Sequence, residues 1–588
     1  VWDWDEAHVN EVSGEFDQNF YPEFDYEAAN AVHPGLCSID NQYDADMIKL
    51  FSTAFSTYRY RDGYAAAIEI AHGVALRYAG PYRASEGQHE RGYSGARAAE
   101  DMVSIMKEVH AGHVIGPMYE APFPVCKLNG RLGVPKQPTG SRWCLNGSAP
   151  YGDSVNWYCP ARFQVYVPLS SDRRVTALMA AGSQRMGRGQ RFQAGTDDWD
   201  NAYKTIAVAL RDLWLCVFRV WCPVENRFLY FVVKRCNFGM VGSGNSFGRI
   251  AVHIVWVLCV LGFIIECWVD DLIYLGSTKQ IAAGQRAADM LAELYGFFWK
   301  LPKRVGPSDV VRWIGFLFDL PNQQMRLTPE FLAKMRAFID ATNWVSRTSQ
   351  RVAALQSLLG LIGRAARAIR NGLLHCYHLR RALRTAHGDW VHISPEARAE
   401  VLWFRDIAAR WDGVRTFPLA PALRPTAPAG QSDSCEASMG GIWWDELAQA
   451  YRYFFHEWRS ARSAHWDMIA KEALAVAAFI VLYGRRQRLR ALAIPAYLVQ
   501  TDSLVTAQCW TSQRTGKAEG VAHAMLALDD ATTVFDVDTY VHVEHIAGVS
   551  NVLADPVSRA QWDKLQHLTH PFPLIREQIP AAWMTRWL

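Results

Sequence analysis

Two adjacent carboxylates, Asp270 and Asp271, stand between the apolar runs Cys267-Trp268-Val269 and Leu272-Ile273-Tyr274-Leu275. Strand formers on both sides predict a β-hairpin with the acids at its tip. Buried neighbours would hold both carboxylates rigidly, and no base nearby in sequence neutralises them. That arrangement is costly unless a divalent cation binds there. Asp-Asp also occurs at 197–198 and 529–530, so the pair alone is weak. Upstream, however, Thr196-Asp197-Asp198-Trp199-Asp200-Asn201-Ala202-Tyr203 puts an acid four residues before an Ala-Tyr pair. Between that stretch and the hairpin lie Asn237-Phe238-Gly239-Met240 and Phe247.

The net charge of +3 hides an asymmetry. Residues 1–50 carry twelve acids and one base, a net of −11, which leaves about +14 on the remaining 538 residues. That basic remainder suits a polyanionic partner. Twelve scattered cysteines without Cys-x-x-Cys read as reduced thiols rather than a disulfide framework. The chain starts at Val1 rather than Met, the pattern of a fragment or processed product. Ile250 to Val269 is long enough to span a bilayer, but His253, Gly262 and Glu266 interrupt it. A buried helix running into a buried strand is the expectation, with no membrane partner.

In order and spacing these motifs resemble the palm of a reverse transcriptase. The resemblance implies that Asp198 and Asp270, assisted by Asp271, ligate two Mg²⁺ ions (Mn²⁺ able to substitute). Asp197 and Asp200 are rivals for the first position. It makes Tyr203 the residue under the incoming sugar, and Phe238 and Gly239 part of the loop the nucleotide approaches. Leu132-Gly133-Val134-Pro135-Lys136-Gln137-Pro138-Thr139-Gly140-Ser141-Arg142-Trp143 resembles the fingers hairpin, with Lys136 and Arg142 on the triphosphate. Gly296-Phe297-Phe298-Trp299-Lys300-Leu301-Pro302-Lys303 implies that Lys303, rather than its rival Lys300, protonates the leaving pyrophosphate. Trp313 to Phe316 would be the strand that positions the primer end. Residues 345–385 hold eight arginines and no acid, and Arg364, Arg367 and Arg370 share a helical face. In the place of a thumb they read as a duplex phosphate contact.

A second set of motifs resembles ribonuclease H. Asp433 precedes Met439-Gly440-Gly441-Ile442-Trp443, Glu472 lies in an apolar helix, and Asp502 ends an apolar strand. His545 leads to Asn551-Val552-Leu553-Ala554-Asp555. The implied metal ligands are Asp433, Glu472, Asp502 and Asp555, again with two Mg²⁺, and His545 belongs to the same site. Glu436 is a rival to Asp433, and Ser503 stands where Asn is usual.

The expected fold is α/β multidomain (α+β), a right-hand polymerase (fingers, palm, thumb) followed by an RNase H-like α/β domain. An acidic N-terminal arm and helical extension fill 1–110, fingers and palm 111–330, and a helical thumb or connection 331–417. A Pro-rich linker covers 418–430, the RNase H domain 431–565 and a C-terminal tail 566–588. Implied partners are an RNA template, a DNA primer, the RNA/DNA hybrid and dNTPs, in a cytoplasmic particle or the nucleus. Ser148-Ala149-Pro150-Tyr151-Gly152-Asp153-Ser154-Val155-Asn156 resembles a Ser-x-Pro-x-Gly-x-Ser-Val-Asn pattern of DIRS- and Ngaro-like retrotransposons, which integrate through a tyrosine recombinase. That pattern disfavours an LTR-element or pararetrovirus polymerase. A domesticated, inactive RNA scaffold would have lost metal-binding acids, and all seven stand.

Overall fold

The computed structural model describes residues 26–588 except 39–41, 55–65, 68–69, 87–94, 136–140, 160–174, 177, 180–181, 184–185, 187–190, 342–343, 345–346, 370–371, 387, 417–424, 426, 459–465, 490–495, 513–517 and 533–539. For some residues beside these stretches, Arg142 among them, it describes the backbone alone. The chain forms two compact units, residues 1–178 with 186–314, and residues 179–185 with 315–588.

In the first unit the strand formers around the Asp pair make the predicted hairpin. Ile264–Trp268 and Asp271–Gly276 pair antiparallel, with Trp268 opposite Asp271, and Val269-Asp270 is the turn. Gln193–Asp198 and then Val305–Ser308 complete a four-stranded antiparallel sheet. Helices Val241–Val260 and Thr278–Tyr295 share one core with it, through Phe247, Ile250, Ile254, Val257, Ile281, Leu291, Leu272 and Tyr274. Val241–Val260 is, among the described residues, the one helix long and apolar enough to cross a membrane. Its apolar residues at three- and four-residue spacing are buried in this core, as expected for a core helix. A five-stranded sheet (Ser85–Glu86, Lys127–Leu128, Val217–Cys222, Arg227–Val233 and Val114–Met118, in spatial order) packs on helix Gly95–His110. Gly130–Pro135 and Ser141–Asn146 form the expected hairpin upstream of the acids.

From residue 26 onward the acidic N-terminal arm is packed into the first unit, with Leu36, Tyr43 and Ile48 in its cores. The Tyr43 ring lies 5.6 Å from Phe297, and Asp44 N donates to Tyr295 O at 2.7 Å. The chain at Gln42 passes so close to Gly296 that a Cβ there would meet its carbonyl oxygen at 2.3 Å. Acids dominate the composition of this segment, but its few apolar side chains anchor it. Trp313 to Phe316 is likewise a turn rather than a strand. It joins Val310–Trp313 to Phe316–Asp319, with Ile314 at φ +44° and Gly315 at φ +84°.

In the second unit the helical stretch is as expected, with helices Pro329–Ala341, Val352–Ala368, Tyr377–Arg384 and Pro395–Arg410. A six-stranded mixed sheet follows, in the spatial order Tyr540–His545, Ala496–Thr501, Gly430–Ser434, Ser438–Asp445, Ala450–Glu457, Leu574–Arg576. Helices Met468–Leu489 and Glu519–Thr532 pack together in its core. The segment expected as a C-terminal tail supplies the sixth strand, and its helix Ala581–Trp587 buries Trp583 and Trp587 in that core. Nor does the Pro-rich stretch divide two folding units. Leu374, from the helical part, belongs to the same core, and His375 Nε2 lies 3.0 Å from Asp529 Oδ2. Prolines end elements, but they do not determine which apolar faces meet. Among the described residues, no two of the twelve cysteines form a disulfide.

Candidate active sites

The strand Gln193–Asp198 alternates its side chains across the sheet, which separates its two acids. Asp198 is opposite Asp271 in register and lines a cleft of about 240 Å³ together with Asp270, Phe238, Lys300 and Lys303. Asp197 turns to the other face, where Arg304 holds it (Nε to Oδ1 2.5 Å) and also binds Asp289. That excludes Asp197 from the site. Asp200, the other rival, is half-buried, with its Oδ1 3.9 Å from Lys300 Nζ. Lys303 Nζ contacts Asp198 Oδ2, a bond that raises the lysine's pKa. Burial first, then the charges of Asp270 and Asp198, push the Asp271 carboxyl up to about 6. Three hard oxygen donors that already repel one another fit a hard divalent cation. Val269, at the hairpin tip, adopts φ +57°, a left-handed conformation costing a β-branched residue about 1–3 kcal/mol.

The floor of this site is sewn from the sequence motifs. Trp199 N donates to Asp270 O (3.2 Å), Lys300 N to Asp198 O (2.8 Å) and Asp200 N to Phe298 O (3.0 Å). Beneath them the rings of Phe247, Phe297 and Trp299 pack around Trp199 with centroids within 5.6 Å of its own. Tyr203 follows in the turn Ala202–Thr205, buried against Phe247 and 4.5 Å from Phe238, whose ring is 42 % exposed at the cleft. Gly239 is required for a different reason from the one expected. A Cβ there would lie 1.5 Å from Leu145 O, so the close approach is between two backbone segments of the protein. Lys136 lies outside the described residues. Arg142 pairs with Val134 in the hairpin, and its side chain is not among those described.

The second site draws tighter. Oxygens of Asp433, Glu472 and Asp502 all lie within 4.8 Å of one another, the one acid cluster so close among the described residues. Asp433 is on the first strand of the mixed sheet, Glu472 on the helix beneath, and Asp502 just past the parallel strand Ala496–Thr501. Burial, then repulsion from Asp433 and Asp502, raises Glu472 to about 9. Burial and the charges of Asp502 and Asp555 raise Asp433 to about 6 against the Ser558 hydrogen bond. Such a set also fits hard divalent cations. Asp555 is held by Arg559 (2.6 Å), and is felt by Asp433 as a charge. His545 ends its strand opposite Thr501, exposed, and Glu436 is exposed too. Ser503 earns its place as a cap, with Thr506 N donating to its Oγ at 3.3 Å.

The run that ends this motif does more than carry Asp555. Asn551 Nδ2 donates to Asp433 Oδ1 (3.1 Å), and Ser558 Oγ donates to Oδ2. Sequence reading assigned neither role, although Asn551 opens the run it singled out and Ser558 stands three residues past its end. It missed Glu108 and Lys204 as well, a pair at the edge of the first cleft with no motif to mark it. Arg364 and Arg367 lie on helix Val352–Ala368, and Arg370 is outside the described residues. Arg364 packs over the Phe331 ring at 5.2 Å, so part of its surface is committed to the fold.

No protein family's sequence profile matches this chain, and no curated protein matches it. Among solved structures, a foamy viral protease-reverse transcriptase dRH in complex with double-stranded DNA aligns at 14 % identity and TM-score 0.42. The match covers 85 % of this chain and 81 % of that one. The foamy viral protease-reverse transcriptase with an RNA/DNA hybrid gives 15 % identity and TM-score 0.41, over 85 % and 62 %. Its complex with double-stranded DNA gives 14 % and 0.40, over 85 % and 96 %. At such distances the side chains themselves are the ground for a functional reading.

Proposed function

We propose that this chain is an RNA-directed DNA polymerase with an attached ribonuclease H, from a DIRS- or Ngaro-like retrotransposon. The observation that carries the reading is the register of Asp198 against Asp271, with Asp270 at the tip, on a cleft that also presents Lys303 and Phe238. In the reaction, the primer's 3′-oxygen attacks the α-phosphorus of a dNTP. A new P–O bond forms as the bond to the β-phosphate oxygen breaks, and pyrophosphate leaves. Asp198, Asp270 and Asp271 would hold two Mg²⁺ ions, which when bound stabilise charge on the attacking and leaving oxygens. Lys303 is more than half exposed beside Asp198, within reach of a leaving group to which it can give a proton. Tyr203 and Phe238 form the wall for the incoming sugar.

In the second unit Asp433, Glu472, Asp502 and Asp555 would hold cations for hydrolysis of the RNA strand. Water attacks the phosphodiester phosphorus, and the 3′-oxygen departs. The Ser148 to Asn156 run supports the element type. The test is primer extension on RNA and DNA templates with Mg²⁺. The parent extends both, and Asp270→Asn falls by on the order of a thousandfold or more with its circular dichroism and melting curve unchanged. An Asp270→Asn chain that extends at the parent rate overturns the reading.

A further inference from the structure

Asn156 lies outside both acid sites, yet both ends of its side-chain amide bond the loop that carries Phe238. Its Nδ2 donates to Gly239 O at 2.8 Å and to Ser148 Oγ at 3.0 Å, while its Oδ1 accepts from Val241 N at 2.9 Å. Val241 is the first residue of the long core helix, and the preceding Met240 offers no side-chain cap. Asn156 therefore caps that helix from a segment 85 residues away. The rest of the motif holds Asn156 in place. Its own N–H donates to Gly147 O at 2.8 Å, Ser154 Oγ accepts from Trp157 N at 3.2 Å, and Val155 is buried in the core of the five-stranded sheet.

Two glycines let the segments meet. A Cβ on Gly147 would stand 2.7 Å from Gly239 O, and one on Gly239 would stand 1.5 Å from Leu145 O. The loop from Asn237 to Val241 is thus pressed onto Leu145 to Gly147 and locked there by one amide. What it presents on the far side is the Phe238 ring, half-open to the cleft and packed on Tyr203.

Resting on the polymerase reading, we infer that Asn156 is a positioning residue that sets nucleotide affinity and sugar selection by fixing Phe238 against Tyr203. It does this without touching the substrate. A backbone carbonyl and a helix N–H at fixed spacing need one donor and one acceptor on the same side chain, which a carboxamide supplies and a carboxylate does not.

The test compares the full chain with its Asn156→Asp variant, which keeps the acceptor for Val241 N and sets an oxygen against Gly239 O. The KM for dNTP should rise roughly tenfold with kcat changed far less, and discrimination against rNTP should fall. Adding Phe238→Ala to Asn156→Asp should cost little beyond Phe238→Ala alone, because both act through one ring. Cleavage of RNA in a hybrid, carried by the other compact unit, should stay at the parent level. Amide exchange across 237–245 should quicken while the 264–276 hairpin is unchanged. Parent-like KM, discrimination and exchange overturn the proposal. So does uniform loss of kcat, nuclease activity and protection, which would make Asn156 merely structural. A parent chain that fails to extend any primer overturns the polymerase reading and the sugar-selection role with it. The exchange comparison still shows in that case whether the amide locks the loop.

Discussion

Asp197 and Asp198 show how far one residue's position can change its chemistry. They are neighbours in sequence, yet the strand's alternation gives one to Arg304 and the other to the cleft. Tyr203 is read the same way, from what its ring touches. Its ring is buried on Phe247 and Phe238, so shortening it would open space beside Phe238. Tyr203→Val should therefore admit ribonucleotides, lowering dNTP/rNTP discrimination by about tenfold or more in single-nucleotide incorporation. Unchanged discrimination would leave it a core tyrosine. The acids were legible because their order and spacing survive in the sequence. Asn551 and Ser558 were only half legible, since nothing in a linear run says that their polar atoms turn back onto Asp433, 118 and 125 residues away.

Elements were legible where a local pattern decides them. The hairpin followed from its strand formers, and the long apolar helix from its spacing. The N-terminal segment was not legible, because its anchoring rests on a few contacts with Tyr295 and Phe297, far along the chain. Helix Tyr377–Arg384 offers a similar long-range dependence. Its first turn is capped by Glu400, which accepts from His378 N (2.9 Å) and Leu379 N (3.0 Å). Burial outweighs these bonds and raises the Glu400 carboxyl from 4.5 to about 7. A raised acid pKa means the folded chain holds a proton that the unfolded chain has released, so this group's contribution declines as pH climbs from 4.5 through 7. Urea unfolding should show Glu400→Gln recovering on the order of 3 kcal/mol at pH 8 relative to its difference from the parent at pH 4.5. A pH-independent difference between the two would remove Glu400 as the cause.

At the scale of the whole molecule, the two acid sites sit in separate compact units, each with its own core. Asp502→Asn should stop cleavage of a labelled RNA strand annealed to DNA while primer extension on a short template survives. Loss of both activities together would show that the sites depend on each other. The units themselves do not divide where the prolines cluster. Leu374 is inside the core that also buries Trp583 and Trp587, Arg381 bonds Glu519, and His375 reaches Asp529. A chain severed between 418 and 428 would therefore stay a single particle in solution, its halves held as a subunit and its partner are held. A C-terminal fragment begun at that point would instead be born with an uncovered apolar patch.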